Sequence, residues 1–204
     1  MELDQGIKDA LRDDDKTFDE GYMSKHLTQS DIETISTITS LEKVSFIGGE
    51  VESYAPLAKL PNLRRLAINH WSSSDLSSVG AITQLRELSL SENEQYRDLS
   101  FLTNLSNLEI LDLTDGQFSD LSPVRNLSKL RVLKLMNCDE LIDISALSNL
   151  SMLEDLDLNS TGVEDLSPIA GLTSLKRLDV RGAEEIENYD VVEQLSLGDG
   201  FISN

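Results

Sequence analysis

"DLSPVRNLSKLRVLKL" at Asp120–Leu135 and "DLSPIAGLTSLKRLDV" at Asp165–Val180 are near copies, forty-five positions apart. Self-similarity at a fixed period outranks any local propensity, because it says that one structural unit recurs. Aligned on Leu-x-x-Leu-x-Leu, the pattern starts at Leu41, Leu63, Leu85, Leu108, Leu130, Leu153 and Leu175, at spacings of 22 or 23 residues. Seven such units fill residues 41–197. Within each, the fourth and sixth places are apolar: Val44/Phe46, Leu66/Ile68, Leu88/Leu90, Leu111/Leu113, Leu133/Leu135, Leu156/Leu158 and Leu178/Val180. Apolar residues two apart share one face of a short strand, and the residues between them face the other way.

After the strand, most units run to an Asp-Leu/Ile-Ser turn, with the aspartate at Asp75, Asp98, Asp120, Asp143 and Asp165, and then to apolar residues three apart. The expectation for these aspartates is structural, with side chains bonding amides of the turn. Ser122 before Pro123 and Ser167 before Pro168 read as N-cap and first helical position, because proline needs no amide partner there. One unit cannot bury its own apolar side, so the units must stack. The expected fold is an α/β solenoid. It is a curved right-handed superhelix with a parallel sheet on its concave face and short 3₁₀ or helical turns on its convex face.

Residues 1–40 read as a helical N-terminal cap. Leu3, Ile7, Ala10 and Leu11 have helical spacing, and "LTQSDIETISTI" offers Ser30 with Glu33 as a capping box before Ile32 and Ile35. At the other end, "GDGFISN" (198–204) reads as a tail rather than a cap, so the natural chain is expected to be longer.

This is the leucine-rich-repeat pattern, and its "DLSP" phrasing resembles the 22-residue repeats of internalin-type and related Gram-positive surface proteins. The leader likewise resembles their N-terminal cap. The resemblance implies a bacterial recognition or adhesion protein, extracellular or at the cell surface. The family's Asn place, where an amide satisfies the turn between coils, holds Gly49, Trp71, Asn93, Gly116, Cys138, Thr161 and Ala183. Only Asn93 is a full match, and Trp71 implies a local rearrangement of the second coil.

Composition narrows the function. The 204 residues are 39% apolar with 5% aromatics, so a core of branched aliphatics is expected. With 37 acidic and 17 basic residues the formal charge is -20, which repels phosphate backbones and anionic lipid, so neither nucleic acid nor membrane insertion is expected. Residues 1–20 lack the basic start and apolar centre of a signal peptide. The single cysteine, Cys138, permits no internal disulfide and reads as a buried thiol on the ladder.

Little in the sequence points to catalysis, a cofactor or a metal. The only histidines are His26 and His70, and no nucleophile or phosphate-loop motif occurs. "RDDDKTFDEG" (12–21) is not a calcium loop, since Phe18 stands where glycine is needed. The sequons at Asn104, Asn126 and Asn149 are the repeat consensus recurring.

What the stack does not require is the strand face turned away from the core. Its central column reads Ser45, Ala67, Ser89, Asp112, Lys134, Asp157 and Asp179; the column before it reads Lys43, Arg65, Glu87, Ile110, Val132, Asp155 and Arg177. Asp112, Lys134 and Asp157 should form an alternating-charge row, and Asp157 beside Asp179 is a like-charge pair unless Arg177 or Arg181 offsets it. Ile110, Val132 and Met136 set apolar groups among these charges, as in a protein interface. The expected site is therefore a concave partner-binding surface of Arg65, Glu87, Ile110, Asp112, Val132, Lys134, Met136, Asp155, Asp157, Arg177 and Asp179. The expected partner is a protein with a basic patch. Two other readings compete: a cytoplasmic acidic inhibitor or immunity-like protein masking a basic enzyme, and a glycosidase-like use of Asp157 with Asp179.

Overall fold

The computed structural model describes residues 5–12, 16–20, 27–47, 51–69, 76–92, 96–195 and 197–203. Leu3, His26, Gly49, His70, Trp71, Asp75 and Asn93, on which readings above depend, lie outside them.

The repeated apolar pairs form seven successive strands: β3 (Lys43–Ile47), β4 (Arg65–Asn69), β5 (Glu87–Ser89), β6 (Ile110–Asp112), β7 (Val132–Lys134), β8 (Asp155–Asp157) and β9 (Arg177–Asp179). Each pairs in parallel with the next, and the register carries one leucine row across the sheet: Val44, Leu66, Leu88, Leu111, Leu133, Leu156, Leu178. These side chains are all buried, as are Leu113, Leu135 and Leu158 behind them. Stacked coils thus replace a conventional two-layer core with a continuous aliphatic column.

Opposite the sheet, 3₁₀ turns at Ala55–Lys59, Ser77–Ala81, Ser100–Asn104, Ser122–Asn126, Ser145–Asn149 and Ser167–Ile169 complete the coils. Their start is fixed one step earlier than the serine reading places it. Leu121 and Leu166, not Ser122 and Ser167, are the N-cap residues, and neither makes a side-chain cap bond. Instead Asp98, Asp120, Asp143 and Asp165 each accept the amide of the serine two residues on, at 2.7–2.8 Å. The structural reading of these four aspartates holds. The Ser122 amide holds Asp120, and the Ser167 hydroxyl followed by its amide holds Asp165, below the usual carboxylate range. At Asp120 the Ser122 hydroxyl contributes as well.

Where β5, β6, β7, β8 and β9 end, the chain turns through a left-handed residue at the same place in five consecutive coils: Glu92, Asp115, Asn137, Ser160 and Gly182. Only the last is the glycine that such a conformation favours. One residue further on, the amide ladder of the family is replaced piecemeal. Tyr96 and Cys138 both donate to the Leu113 carbonyl, at 3.2 and 3.4 Å, and the Thr161 hydroxyl donates to Leu158 at 2.9 Å. Gly116 leaves room for this, because a Cβ there would meet the Phe118 ring at 2.4 Å and the Tyr96 oxygen at 2.8 Å. Burial pushes the Cys138 thiol up to about 12, which keeps it an inert packing group.

The leader is part helix, part sheet. α1 (Gln5–Ala10) and α2 (Gln29–Ile35) bury Ile7, Ala10, Ile32 and Ile35. Between them, β1 (Leu11–Arg12) pairs antiparallel with β2 (Thr17–Asp19), which extends the parallel sheet beside β3. Phe18 is buried there against Phe46, so the stretch considered as a calcium loop contributes a core residue. The capping box of α2 sits two residues before the expected one. Thr28 is the N-cap, and its amide and hydroxyl both donate to Asp31 at 2.9 and 2.8 Å. Glu20, buried, accepts the amides of Leu27 and Ile47 at 3.1 and 2.7 Å, tying the leader to the first coil.

The expectation of a tail at 198–204 is corrected. α3 (Asp190–Gln194) replaces the 3₁₀ turn of the last coil, and β10 (Phe201–Ile202) adds in parallel to β9, with Val180 donating to Ile202 at 2.9 Å. Gly200 permits this return, since a Cβ there would fall 1.8 Å from the Lys176 carbonyl. Phe201 packs on the core and meets Tyr189 edge-on at 6.4 Å.

Candidate functional site

Because strand register is fixed by the buried leucines, the outward columns are fixed with it. One column aligns Arg65, Glu87, Ile110, Val132, Asp155 and Arg177; the next aligns Ala67, Ser89, Asp112, Lys134, Asp157 and Asp179. Met136 stands two residues beyond Lys134, half-buried on the same face.

In the first column an apolar pair is flanked by ion pairs. Ile110 and Val132 face each other, both half-buried. On one side Arg65 meets Glu87 at 3.5 Å; on the other, Arg177 meets Asp155 at 2.9 Å. In the second column Lys134 meets Asp112 at 3.2 Å. Asp112 also accepts the amide and hydroxyl of Thr114, at 3.2 and 2.7 Å. The same local bond recurs at Asp157, whose Oδ1 accepts the Asn159 amide at 3.0 Å, and at Asp179, whose Oδ1 accepts the Arg181 amide at 3.2 Å. One oxygen of each central aspartate is thereby committed to the strand-end turn.

The second oxygens differ. Asp179 is fully buried, with Arg177 at 3.0 Å and Arg181 at 2.7 Å on Oδ2. The Arg181 side chain, aided by its own amide and by Arg177, holds this carboxyl below the usual range against its burial. Asp157 makes no ion pair among the described residues. Burial, with the facing Asp179 adding to it, raises its carboxyl above the usual value despite the Asn159 amide.

The anticipated like-charge pair is therefore offset on the Asp179 side only. Asp179 also has no exposed surface to offer a partner or a sugar, which corrects its assignment to the contact surface. The same fact leaves Asp157 without an accessible second carboxylate at that position for glycosidase-like chemistry. Lys134 pairs with Asp112 and not with Asp157, so the alternating row is broken at its third member.

An open groove of about 490 Å³ runs along the downstream side of this face, with Asp112, Lys134, Met136 and Asp157 on its walls. Upstream of the strands lies a charge row the sequence reading did not single out. It comprises Lys16–Glu42 at 3.2 Å, Arg86–Glu109 at 3.1 Å, and Glu154 between Arg131 and Lys176. Its signal was the residue before each strand, read vertically. Such exposed pairs contribute little to stability.

No model of a known protein family matches the sequence, and no curated protein is similar to it in sequence. Solved structures do match. Internalin C2 of Listeria monocytogenes superposes with a TM-score of 0.79 at 22% identity, over 93% of this chain and 80% of that one. Internalin F of the same organism gives 0.70 at 30% identity, over 82% of this chain and 54% of that one, so the chain spans about half of that relative. A plant peptide hormone receptor, in complex with RGF2, gives 0.57 at 18% identity, over 73% of this chain and 26% of that one. Among the described residues no helix is long and apolar enough to cross a membrane. Repeat length, strand register and these likenesses together show that the chain has a leucine-rich-repeat fold like that of the internalins.

Proposed function

We propose that the chain is a non-catalytic recognition module that grips a protein partner on its concave sheet, at the bacterial cell surface or outside the cell. The observation that carries this reading is the Ile110–Val132 pair with Met136 beside it, half-buried and flanked by the Arg65–Glu87 and Asp155–Arg177 ion pairs. Apolar anchors ringed by satisfied charges have the anatomy of an interface, and a rigid sheet loses little entropy on binding. Likeness to a receptor solved with its ligand supports protein binding, and the resemblance of the repeats to those of internalin-type surface proteins motivates the proposed location. The formal charge of -20 favours a partner with a basic patch and association that slows as salt rises.

Affinity capture from the native source, followed by mass spectrometry, tests the reading with wild type beside Val132→Arg. A protein retained by wild type and lost by the variant supports it, and equal retention removes the concave face as the site. Protease shaving of intact cells tests the location. Protection of the chain there, together with a captured cytoplasmic enzyme of basic surface, would turn the reading to an acidic inhibitor.

A further inference from the structure

Among the described residues, each half-buried acid in the two concave columns has a cation, with one exception. Glu87 has Arg65, Asp112 has Lys134 and Asp155 has Arg177. Asp157 keeps Oδ1 on the Asn159 amide, and no described cation lies within ion-pair distance of its Oδ2. The charges of Arg177 and Arg181 reach Asp157, yet the guanidinium of Arg177 is divided between Asp155 and Asp179, and that of Arg181 is committed to Asp179. The groove around Asp157 carries four carboxylates, Glu92, Asp112, Asp115 and Asp157, against two cations, Lys134 and Arg177. Its wall also includes Met136, one strand over, which is the apolar element a long side-chain stem would cover. A half-buried carboxylate facing a second aspartate disfavours the fold. Among the described residues nothing neutralises Asp157, so a cation that arrives from outside would complete the site.

Building on the concave-face reading, we infer that Asp157 is the seat of one arginine of the protein partner, its guanidinium on Oδ2 and its methylene stem against Met136. Arginine suits the place better than lysine, because a guanidinium is weakly hydrated and can lie flat on an apolar wall while donating to a carboxylate.

The test uses the whole chain and three short probes: the peptide acetyl-Leu-Arg-Leu-amide and its lysine and glutamine analogues. Binding is followed by the ¹H–¹⁵N signal of Asn159, whose amide sits on the other oxygen of Asp157. The arginine peptide should move this signal saturably and the lysine peptide more weakly. The glutamine peptide should bind at least about tenfold less tightly, since a charge-assisted bond is replaced by a neutral one. Asp157→Asn should remove the preference for arginine, and Glu109→Gln, at a carboxylate paired with Arg86 outside the two concave columns, should keep it. The seat is overturned if the arginine peptide produces no saturable shift, if the glutamine peptide binds as well, or if the preference survives in Asp157→Asn. These failures are separable from failure of the concave-face reading. Loss of partner capture in Val132→Arg would leave that reading standing with the seat elsewhere on the face.

Discussion

The middle and the end of one sheet use the same residue in opposite ways. At β8, Asp157 is half-buried, bonded to one amide and without an ion pair among the described residues; at β9, Asp179 occupies the next place in the column, sealed and held by two arginines. The difference arises because β10 covers β9, with Ile202 beside Asp179, whereas β8 has an ordinary coil on each side. A column of like residues is thus no guide to a common role. The end of the stack uses its aspartate to close the solenoid, and β8 leaves its aspartate half-open to solvent.

Four experiments would break or sharpen that contrast. Asp179→Ala should cost the most, about 3 kcal/mol in chemical denaturation at neutral pH, because it strips a buried acceptor from two arginines. Since its folded carboxyl titrates below the usual aspartate value, this contribution is fully present above about pH 4. It is lost as pH falls through the lower folded value, so variant and wild type should converge in acid. Next, Gly200→Ala should cost about 2 kcal/mol by forcing β10 off β9, read as lost hydrogen-exchange protection at the Val180 amide. Gly182→Ala should cost about 1.5 kcal/mol in thermal unfolding, given its positive φ of 69° and a new Cβ 2.7 Å from the Ser160 hydroxyl.

The smallest effect has the opposite sign. Asp157→Asn keeps the acceptor for the Asn159 amide and removes a like charge, so it should stabilise by about 0.5 kcal/mol at pH 7. Because the folded carboxyl of Asp157 titrates above its usual value, its ionised form disfavours the fold. The advantage of the variant should therefore shrink as pH falls through that raised value. Equal and same-signed effects at Asp157 and Asp179 would dissolve the contrast.

How legible these features were depended on the range of the interactions that make them. The leucine rows and the outward columns were readable because a parallel stack repeats one register, so spacing along the chain becomes position on the sheet. The turn aspartates were readable too, since each bonds an amide two residues away. The leader was harder: α2 is capped at Thr28 rather than Ser30, and the hairpin β1–β2 hides in a stretch that looks merely acidic. Glu20 as a buried clamp depends on Ile47, twenty-seven residues on. The strand in "GDGFISN" is short and unpatterned, and only the free edge of β9 gives it a partner.

Sequence by itself determined the period, the inward leucines and the acidic balance, because each is a property of spacing or count. Tertiary structure alone decided which aspartate is sealed and which keeps open surface, where the left-handed residues fall, and which carbonyls Tyr96, Cys138 and Thr161 bond. Those outcomes depend on what the neighbouring coil and the returning chain end bring within a few ångströms, and no single repeat encodes its neighbours.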